Sequence, residues 1–212
     1  MGFLHTIIDF ILHIDVHLNS IITQYGTWTY GIIFLIIFCE TGFVVTPFLP
    51  GDSLLFAAGA FAASGSLHVG ILLALCWFAA VAGDNINYAV GRYLGPKVFQ
   101  SDSRLLNRKY LLEAHSFYER HGGKAVILAR FVPIVRTFSP FVAGVSAMRY
   151  PRFLAFDVAG GALWIGLFIS AGYFFGNIPA VKKNFEIVII AIILVSVMPM
   201  VVHWLRARRR AS

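Results

Sequence analysis

Long apolar runs separated by short polar stretches dominate this chain of 212 residues. A helix that crosses a bilayer needs about 20 consecutive, mostly apolar residues. Runs of about that length occupy residues 28–48, 69–90, 153–175 and 185–205. The pattern therefore predicts an all-α integral membrane protein with several transmembrane helices.

Two further apolar runs, residues 53–64 and 125–148, do not fit a simple span. The first is too short, and the second contains proline, which removes a helix hydrogen bond and clashes with the preceding turn. Each run combines proline, a short irregular stretch and an apolar segment that ends in small residues and glycine. Broken helices at matching places in two halves of a transporter point to its binding site. The predicted breaks are Pro47, Pro50, Gly51, Pro133 and Pro140.

Positive charge is concentrated in residues 92–124 and in the tail, residues 206–212. Cytoplasmic loops of membrane proteins collect Lys and Arg, so both segments are predicted to be cytoplasmic. An even number of full spans must then separate them, and residues 125–148 must enter and leave the membrane on the cytoplasmic side. By the same argument, residues 53–64 dip in from the opposite side. The predicted fold has two facing re-entrant hairpins, each a broken helix, related as an inverted repeat.

No polar stretch is long enough for a separate water-soluble domain, so residues 1–212 are predicted to form a single membrane domain. Its predicted parts are an amphipathic interfacial helix (1–25), a first half with a re-entrant hairpin (26–91), a basic cytoplasmic loop (92–124), a second half with a re-entrant hairpin (125–205) and a basic cytoplasmic tail (206–212).

Polar residues recur every four positions near the N-terminus, at His5, Asp9, His13 and His17. On a helix they form one polar stripe, which is typical of a helix that lies at the membrane interface. The same spacing could bring metal ligands together, but no further ligand pattern supports such a site. No metal and no cofactor are therefore predicted.

Composition agrees with a membrane protein. The chain is 58% hydrophobic and 13% charged, with a mean hydropathy of +0.78, whereas soluble domains are about 25% charged. In a soluble protein, a net charge of +7 could indicate binding to nucleic acid. Beside membrane spans, the positive charge instead indicates which segments are cytoplasmic. No nucleic-acid partner is predicted. Cys39 and Cys76 lie in apolar runs and form neither a disulfide framework nor a metal-type spacing.

Charged side chains also occupy stretches that are otherwise apolar, at Glu40, Asp52, Arg130 and Arg136. A charge at the centre of a membrane helix costs at least ~2.5–3.5 kcal/mol on insertion scales. Because two acids and two bases are retained in such an environment, the sequence predicts a polar site within the membrane and, with it, a transport function.

Arg130 and Arg136 are the predicted substrate-binding residues. They are separated by Pro133, which breaks the helix and allows both side chains to converge on one ligand. A pair of guanidiniums suits a phosphate group, because each can bind it through two parallel hydrogen bonds. The alternative is that the arginines only neutralise buried carboxylates.

Glu40 and Asp52 are the predicted proton-coupling residues. Burial and a neighbouring arginine act in opposite directions on the proton affinity of a carboxyl group, so such a group can carry a proton during transport. For Asp52 the alternative is structural, because Pro-Gly-Asp-Ser ahead of an apolar run also marks the start of a helix. Asp84, Tyr88 and Arg92 share one helix face. A helix-end ion pair and topology anchor is the favoured interpretation there, with a transport role as the secondary one.

Four motifs occur in order along the chain. They are Phe-Cys-Glu40-Thr-Gly42-(x)4-Pro47-Phe-Leu-Pro50-Gly51-Asp52-Ser53, Gly83-Asp84-(x)3-Tyr88-(x)2-Gly91-Arg92, Phe-Tyr-Glu-Arg-His121-Gly122-Gly123-Lys124 and Ala-Arg130-Phe-Val-Pro133-Ile-Val-Arg136-Thr-Phe. Together they resemble the DedA family of bacterial inner-membrane proteins, which is also described by its VTT, or SNARE-associated-like, domain. The resemblance covers nearly the whole chain.

The resemblance implies a multi-pass protein of the bacterial inner membrane with two facing re-entrant hairpins and a role in membrane homeostasis and envelope integrity. It places functional residues at Glu40, Asp52, Arg130 and Arg136. The function expected from it is that of a flippase for undecaprenyl phosphate or a related phospholipid, coupled to the proton gradient. Membrane lipids and protons are the expected partners.

Two other functions fit part of the pattern. A proton-coupled exchanger of a small solute, cation or drug would use the carboxylates but leave the arginines poorly explained. A non-transporting scaffold for membrane homeostasis is the second alternative. An enzyme is not expected, because the chain contains neither a phosphatase-type Pro-Ser-Gly-His run nor a rhomboid-like Gly-x-Ser-Gly.

Overall fold

A computed structural model of the protein describes residues 13–43, 51–100, 124–131 and 133–194. These residues form helices and short turns and contain no strand, so the all-α prediction is confirmed for them. The helices are α1 (Ile14–Tyr25), α2 (Thr29–Gly42), α3 (Gly51–Ala63), α4 (Val69–Gln100), α5 (Lys124–Ala129), α6 (Pro133–Val145), α7 (Tyr150–Phe175), α8 (Pro179–Lys183) and α9 (Phe185–Leu194).

Three helical stretches in the described part are long and apolar enough to cross a membrane, namely Ile14–Gly42, Val69–Gly95 and Tyr150–Phe175. The helices α3 and α9 are apolar but shorter. A helix of 13 residues such as α3 is only about 20 Å long at 1.5 Å per residue, which is less than the hydrocarbon thickness. The described part of the protein therefore has the composition of a membrane protein.

The helix α1 continues almost directly into α2. A single 3-10 turn, Gly26–Trp28, joins them, and together they form the first candidate span. Ile14 and Leu18 of α1 are buried, and α1 packs against α3. The polar stripe predicted that residues 1–25 lie at the membrane interface. The later residues of this segment, which form α1, pack against another helix.

The helix α4 is longer than predicted. The expected span ends at residue 90 and the basic loop begins at Arg92, but the helix continues to Gln100. Arginine is a good helix former, and its long side chain can keep its apolar stem on the helix and its charge in water. Residues 92–100, predicted as part of the basic loop, are therefore helical, and the cytoplasmic location of the segment stays a prediction. Residues 101–123 and the basic tail lie outside the described residues.

The two proline-containing segments each form a 13-residue helix, α3 and α6. The helix α3 begins at Gly51, as the helix-start signal predicted, whereas Pro47 and Pro50 lie outside the described residues. In the second segment the helix is interrupted at Arg130 and Phe131, and Pro133 is the first residue of α6. Proline suits that position because the first helical N–H needs no partner.

Pro140 lies inside α6, which continues to Val145. The predicted break at Pro140 is therefore not seen. Proline removes only the hydrogen bond from its own position to the carbonyl four residues earlier, here Arg136, and flanking hydrogen bonds can maintain the helix. The re-entry of the two segments and their inverted-repeat relation stay predictions.

The chain separates into two compact units that interleave in sequence. Among the described residues, the first unit contains 13–34, 51–75 and 165–194, and the second contains 35–43, 76–100, 124–131 and 133–164. The helices α2, α4 and α7 each contribute one part to each unit.

In the first unit, α3 crosses the later part of α7 at a pair of glycines. A Cβ at Gly59 would collide with the backbone of Ile169, and one at Gly172 would collide with the backbone of Phe56. Each glycine thus allows the backbone of the other helix to approach. Close helix crossings at small residues are the usual packing device of membrane helices, because dispersion contacts replace the hydrophobic effect in lipid.

In the second unit, α4 crosses α6 in the same way. A Cβ at Gly91 would collide with the carbonyl of Phe141, and one at Gly144 would collide with the carbonyl of Tyr88. The crossing keeps the polar turn of α4 that begins at Asp84 close to α6, and it therefore positions the site described next.

Candidate functional site

Five charged side chains are buried in the described part of the second unit. They are Glu40 near the end of α2, Asp84 in the middle of α4, Arg130 at the break between α5 and α6, Arg136 on α6 and Asp157 on α7, and each is at most 4% exposed. Charged residues are almost never fully buried unless they are paired. The pairing in this cluster therefore determines what the site can do.

Arg130 lies between two carboxylates. Its Nη2 atom donates hydrogen bonds to Asp84 Oδ2 and to Asp157 Oδ1. Its Nε and Nη1 atoms are buried and have no hydrogen-bond partner among the described residues. The stem of Arg130 passes close to the backbone of α7 at Gly160, where a Cβ would come within 3.0 Å of its Cδ. Nη2 thus donates to both aspartates, whereas Nε and Nη1 donate to no described residue.

Arg136 pairs with a different acid. Its Nη2 atom donates to Glu40 Oε1, so α6 is tied to the end of α2 by a buried ion pair. The guanidinium carbon also lies 4.5 Å from the centre of the Trp164 ring. A cation over an aromatic face is attracted by the negative ring face, and the attraction is larger when both groups are buried. Arg136 is therefore held by one acid and one aromatic ring.

Asn87 connects the segments that carry this ion pair. Its Nδ2 atom donates to the carbonyl of Thr41 at 3.2 Å and to the carbonyl of Thr137 at 2.7 Å. Thr41 follows Glu40 in the chain, and Thr137 follows Arg136. One buried amide on α4 thus positions both members of the pair.

The helix-end interpretation of Asp84, Tyr88 and Arg92 is wrong for Asp84. Because α4 runs from Val69 to Gln100, Asp84 lies in its middle and binds Arg130, while Arg92 is exposed. Tyr88 has a structural contact, since its hydroxyl donates to the carbonyl of Met148 and its ring stacks on Phe153 at 4.4 Å between centroids.

Asp52 lies in the first unit, whereas Glu40, Arg130 and Arg136 lie in the second. It is half-buried in the first turn of α3, where a carboxylate is stabilised by the positive end of the helix dipole. This placement agrees with the structural alternative for Asp52. Its role in proton coupling stays a prediction.

Asp157 is a charged residue of the cluster to which the sequence assigned no role. A signal was present, because an aspartate within the apolar run 153–175 is by itself a reason to suspect a functional site. Its partner could not be found from the sequence, since Arg130 lies 27 positions away with the whole of α6 and the start of α7 between them.

The cluster carries surplus negative charge when all of its groups are ionised. Three carboxyl groups contact two guanidiniums, which leaves one negative charge uncompensated by these partners. An arrangement with unused guanidinium donors beside surplus carboxylate can bind an anion and a proton. Among the described residues, no group of three His, Cys, Asp or Glu side chains could hold a metal ion.

Comparison with known proteins places the chain in a family. The VTT domain model matches residues 49–174, more than half of the chain. The protein DedA of Escherichia coli (strain K12) is 54% identical over 215 residues, which cover 100% of this chain and 98% of DedA. No solved structure matches.

More distant relatives have similar coverage. The inner membrane protein YghB of Escherichia coli (strain K12) is 36% identical over 177 residues, 83% of this chain and 78% of YghB. The inner membrane protein YqjA of the same strain is 35% identical over 155 residues, 73% of this chain and 70% of YqjA. With the VTT match and the identity to DedA, these relations show that the chain is a membrane protein that belongs to the DedA family.

Proposed function

We propose that this protein is a membrane lipid transporter that moves undecaprenyl phosphate or a related phospholipid across the bacterial inner membrane, driven by the proton gradient and in support of envelope integrity. The observation that carries the proposal is the state of Arg130. Its guanidinium is buried, yet Nε and Nη1 have no hydrogen-bond partner among the described residues.

Open donors on a buried arginine favour an anionic ligand. A buried N–H group without a partner costs about 1–3 kcal/mol, and more when the group is charged. Phosphate oxygens would accept hydrogen bonds from these donors, which the planar guanidinium holds in fixed directions and which lysine lacks. Arg136, which is also buried and lies on the next helix, is the second proposed phosphate ligand.

The surface of the second unit suits the lipid tail. Large apolar side chains are exposed on the helices that carry the charged cluster, and a transmembrane helix directs such side chains toward lipid. They include Leu35, Phe78, Ile86, Leu128 and Leu163. A lipid with a phosphate headgroup combines both requirements, because its head needs a buried cation and its tails need the bilayer.

Proton coupling is proposed through Glu40, with Asp52 as a second carrier. Glu40 is paired with Arg136 in this structure, so a proton on Glu40 would release Arg136 for the substrate. Exchange of a small solute or cation for protons is the alternative transport function, and the excess of carboxyl groups over guanidiniums in the cluster favours it.

The deciding experiment is flux of a labelled lipid in liposomes that contain only the purified protein. We expect wild-type protein to move a polyprenyl-phosphate lipid, and Arg130→Lys and Arg136→Lys to lower the rate at least about tenfold, equivalent to roughly 1.4 kcal/mol. Arg152→Lys is the matched control, because Arg152 lies in the same unit but is exposed. Flux equal to that of protein-free liposomes would overturn the proposal, and equal flux in all variants would exclude the arginines as phosphate ligands.

A further inference from the structure

We infer that Asp84 and Asp157 form a proton-binding site, in which a single proton is shared by the two carboxyl groups and strengthens the binding of an anion to Arg130. The coupling half of this inference rests on the proposed function. The proton site itself rests on the geometry of the cluster.

The two carboxyl groups meet at one atom. Both accept a hydrogen bond from Arg130 Nη2, although one lies on α4 and the other on α7. Because both contact the same nitrogen atom, the two carboxyl groups lie next to each other. Two carboxyl groups at that separation behave as a unit, because the charge on one opposes ionisation of the other.

Among the described residues, the cation in contact with the pair does not compensate two carboxylates. Arg130 is the cation in direct contact, and Arg136, the other arginine near Asp84, is bound to Glu40. With both aspartates ionised, a buried negative charge remains, and burial in an apolar environment disfavours such a charge. Protonation of one aspartate removes the surplus, as in sites where two carboxyl groups share one proton.

The unsatisfied oxygens of the two aspartates also favour one shared proton. Asp84 Oδ1 and Asp157 Oδ2 are buried without a partner among the described residues. Ionised carboxylates can only accept hydrogen bonds, so two of them side by side cannot satisfy each other. A proton on one of these oxygens creates a donor for the other aspartate. The contact between Glu40 and Arg136 differs, because it joins one acid to one base, and the two together are neutral without a proton.

The shared guanidinium couples the proton to the anion. A phosphate bound to the remaining donors of Arg130 lies close to the aspartates and is repelled by their negative charge, and the repulsion is weaker when one aspartate is neutral. Protonation therefore strengthens phosphate binding, and by linkage phosphate binding strengthens protonation by the same factor. The step moves only a proton from water to a carboxylate oxygen, so no bond to the lipid breaks and nothing is oxidised or reduced.

The proton site can be tested by infrared spectroscopy of the purified full-length protein labelled with aspartate that carries ¹³C at the side-chain carboxyl. We expect a C=O stretching band of a protonated carboxyl at neutral pH that shifts with the label, although aspartate in water is ionised above about pH 3.9. The band should disappear in Asp84→Asn and Asp157→Asn. It should persist in Asp15→Asn, whose aspartate lies on α1 in the first unit.

Glutamate variants retain the carboxyl group and serve as the test if the two asparagine variants fail to fold. In Asp84→Glu and Asp157→Glu the band should lose part or all of its response to the aspartate label. A spectrum without a label-sensitive protonated band at neutral pH, or a band unchanged by all four substitutions, would overturn the proton site.

The coupling is tested separately by the affinity of the protein for a phosphate-headed lipid as a function of pH. Wild-type affinity should fall several-fold as pH rises through the range in which the infrared band disappears, and Asp157→Asn should abolish that pH dependence. If the infrared band is present but the affinity for the lipid does not change with pH, the coupling is overturned. If the band is present but the protein moves no lipid, the transport proposal is refuted and the proton site stands.

Discussion

The crossing of α3 and α7 in the first unit and the crossing of α4 and α6 in the second use the same packing device with different chemistry. In each, a pair of glycines brings a 13-residue helix into contact with the backbone of a long one. The α3 side of the first crossing is dominated by apolar residues such as Leu55 and Phe56. Beside the second crossing lie Asp84 and Arg136, both buried.

The difference shows that close helix packing does not require the charges. A buried ion pair contributes little net stability, because desolvation of the two ions offsets their attraction, and replacement by apolar residues is often neutral or stabilising. The first unit is an example within the same chain of a glycine crossing made with few polar groups. The charges of the second unit are therefore best explained by function, which agrees with their position in a membrane protein.

The largest expected difference between the units comes from removal of a cation. Arg130→Ala leaves Asp84 and Asp157 buried without their partner, so we expect a loss of roughly 3–5 kcal/mol of unfolding free energy. Lys182→Ala, at an exposed cation of the first unit, should change stability by less than about 0.5 kcal/mol. Thermal or denaturant unfolding in detergent measures both. Similar losses in the two variants would mean that the buried cluster has no special place in the fold.

Alanine in place of a glycine should lower the free energy of unfolding by a similar amount at both helix crossings. Gly172→Ala in the first unit and Gly144→Ala in the second each place a methyl group against the backbone of the crossing helix, so each should cost about 1–3 kcal/mol. Gly166→Ala is the control on α7, since a methyl group added there would meet no atom within 4 Å. It should be neutral or stabilising by up to about 1 kcal/mol, because alanine favours helices. A penalty in one crossing only would break the parallel between them.

The smallest effect is expected at an ion pair on the surface of the first unit. Glu186 Oε1 lies 3.4 Å from His13 Nε2, and both side chains are well exposed. Exposed pairs contribute about 0–1 kcal/mol, so Glu186→Gln should lower stability by no more than that and lose its effect at high salt. Comparison of unfolding at low and high salt provides the check. A loss as large as that of Arg130→Ala would show that exposure does not separate the two kinds of pair.

Prediction from the sequence succeeded where local rules determine structure. The start of α3 agrees with the helix-start signal of Gly51 and Asp52 ahead of an apolar run. Pro133, which was predicted only as a break, is the first residue of α6. Prediction failed at Pro140, where the helix continues through a residue that often ends one. The helix α4 also continues beyond its predicted end, through Arg92 to Gln100. Tertiary packing can override such local preferences, as at Gly91, which is packed against Phe141.

The sequence by itself determined that this is a helical membrane protein of the DedA family, because apolar run length and ordered motifs are local properties of the chain. It also marked Arg130 and Arg136 as functional candidates, since buried arginine is costly wherever it occurs. Only the tertiary structure decided the partners, joining Arg130 to Asp157 and Arg136 to Glu40. The physical reason is that an ion pair depends on the distance between two side chains in space, and residues 27 or 96 positions apart are brought together by helix crossings and not by any local pattern.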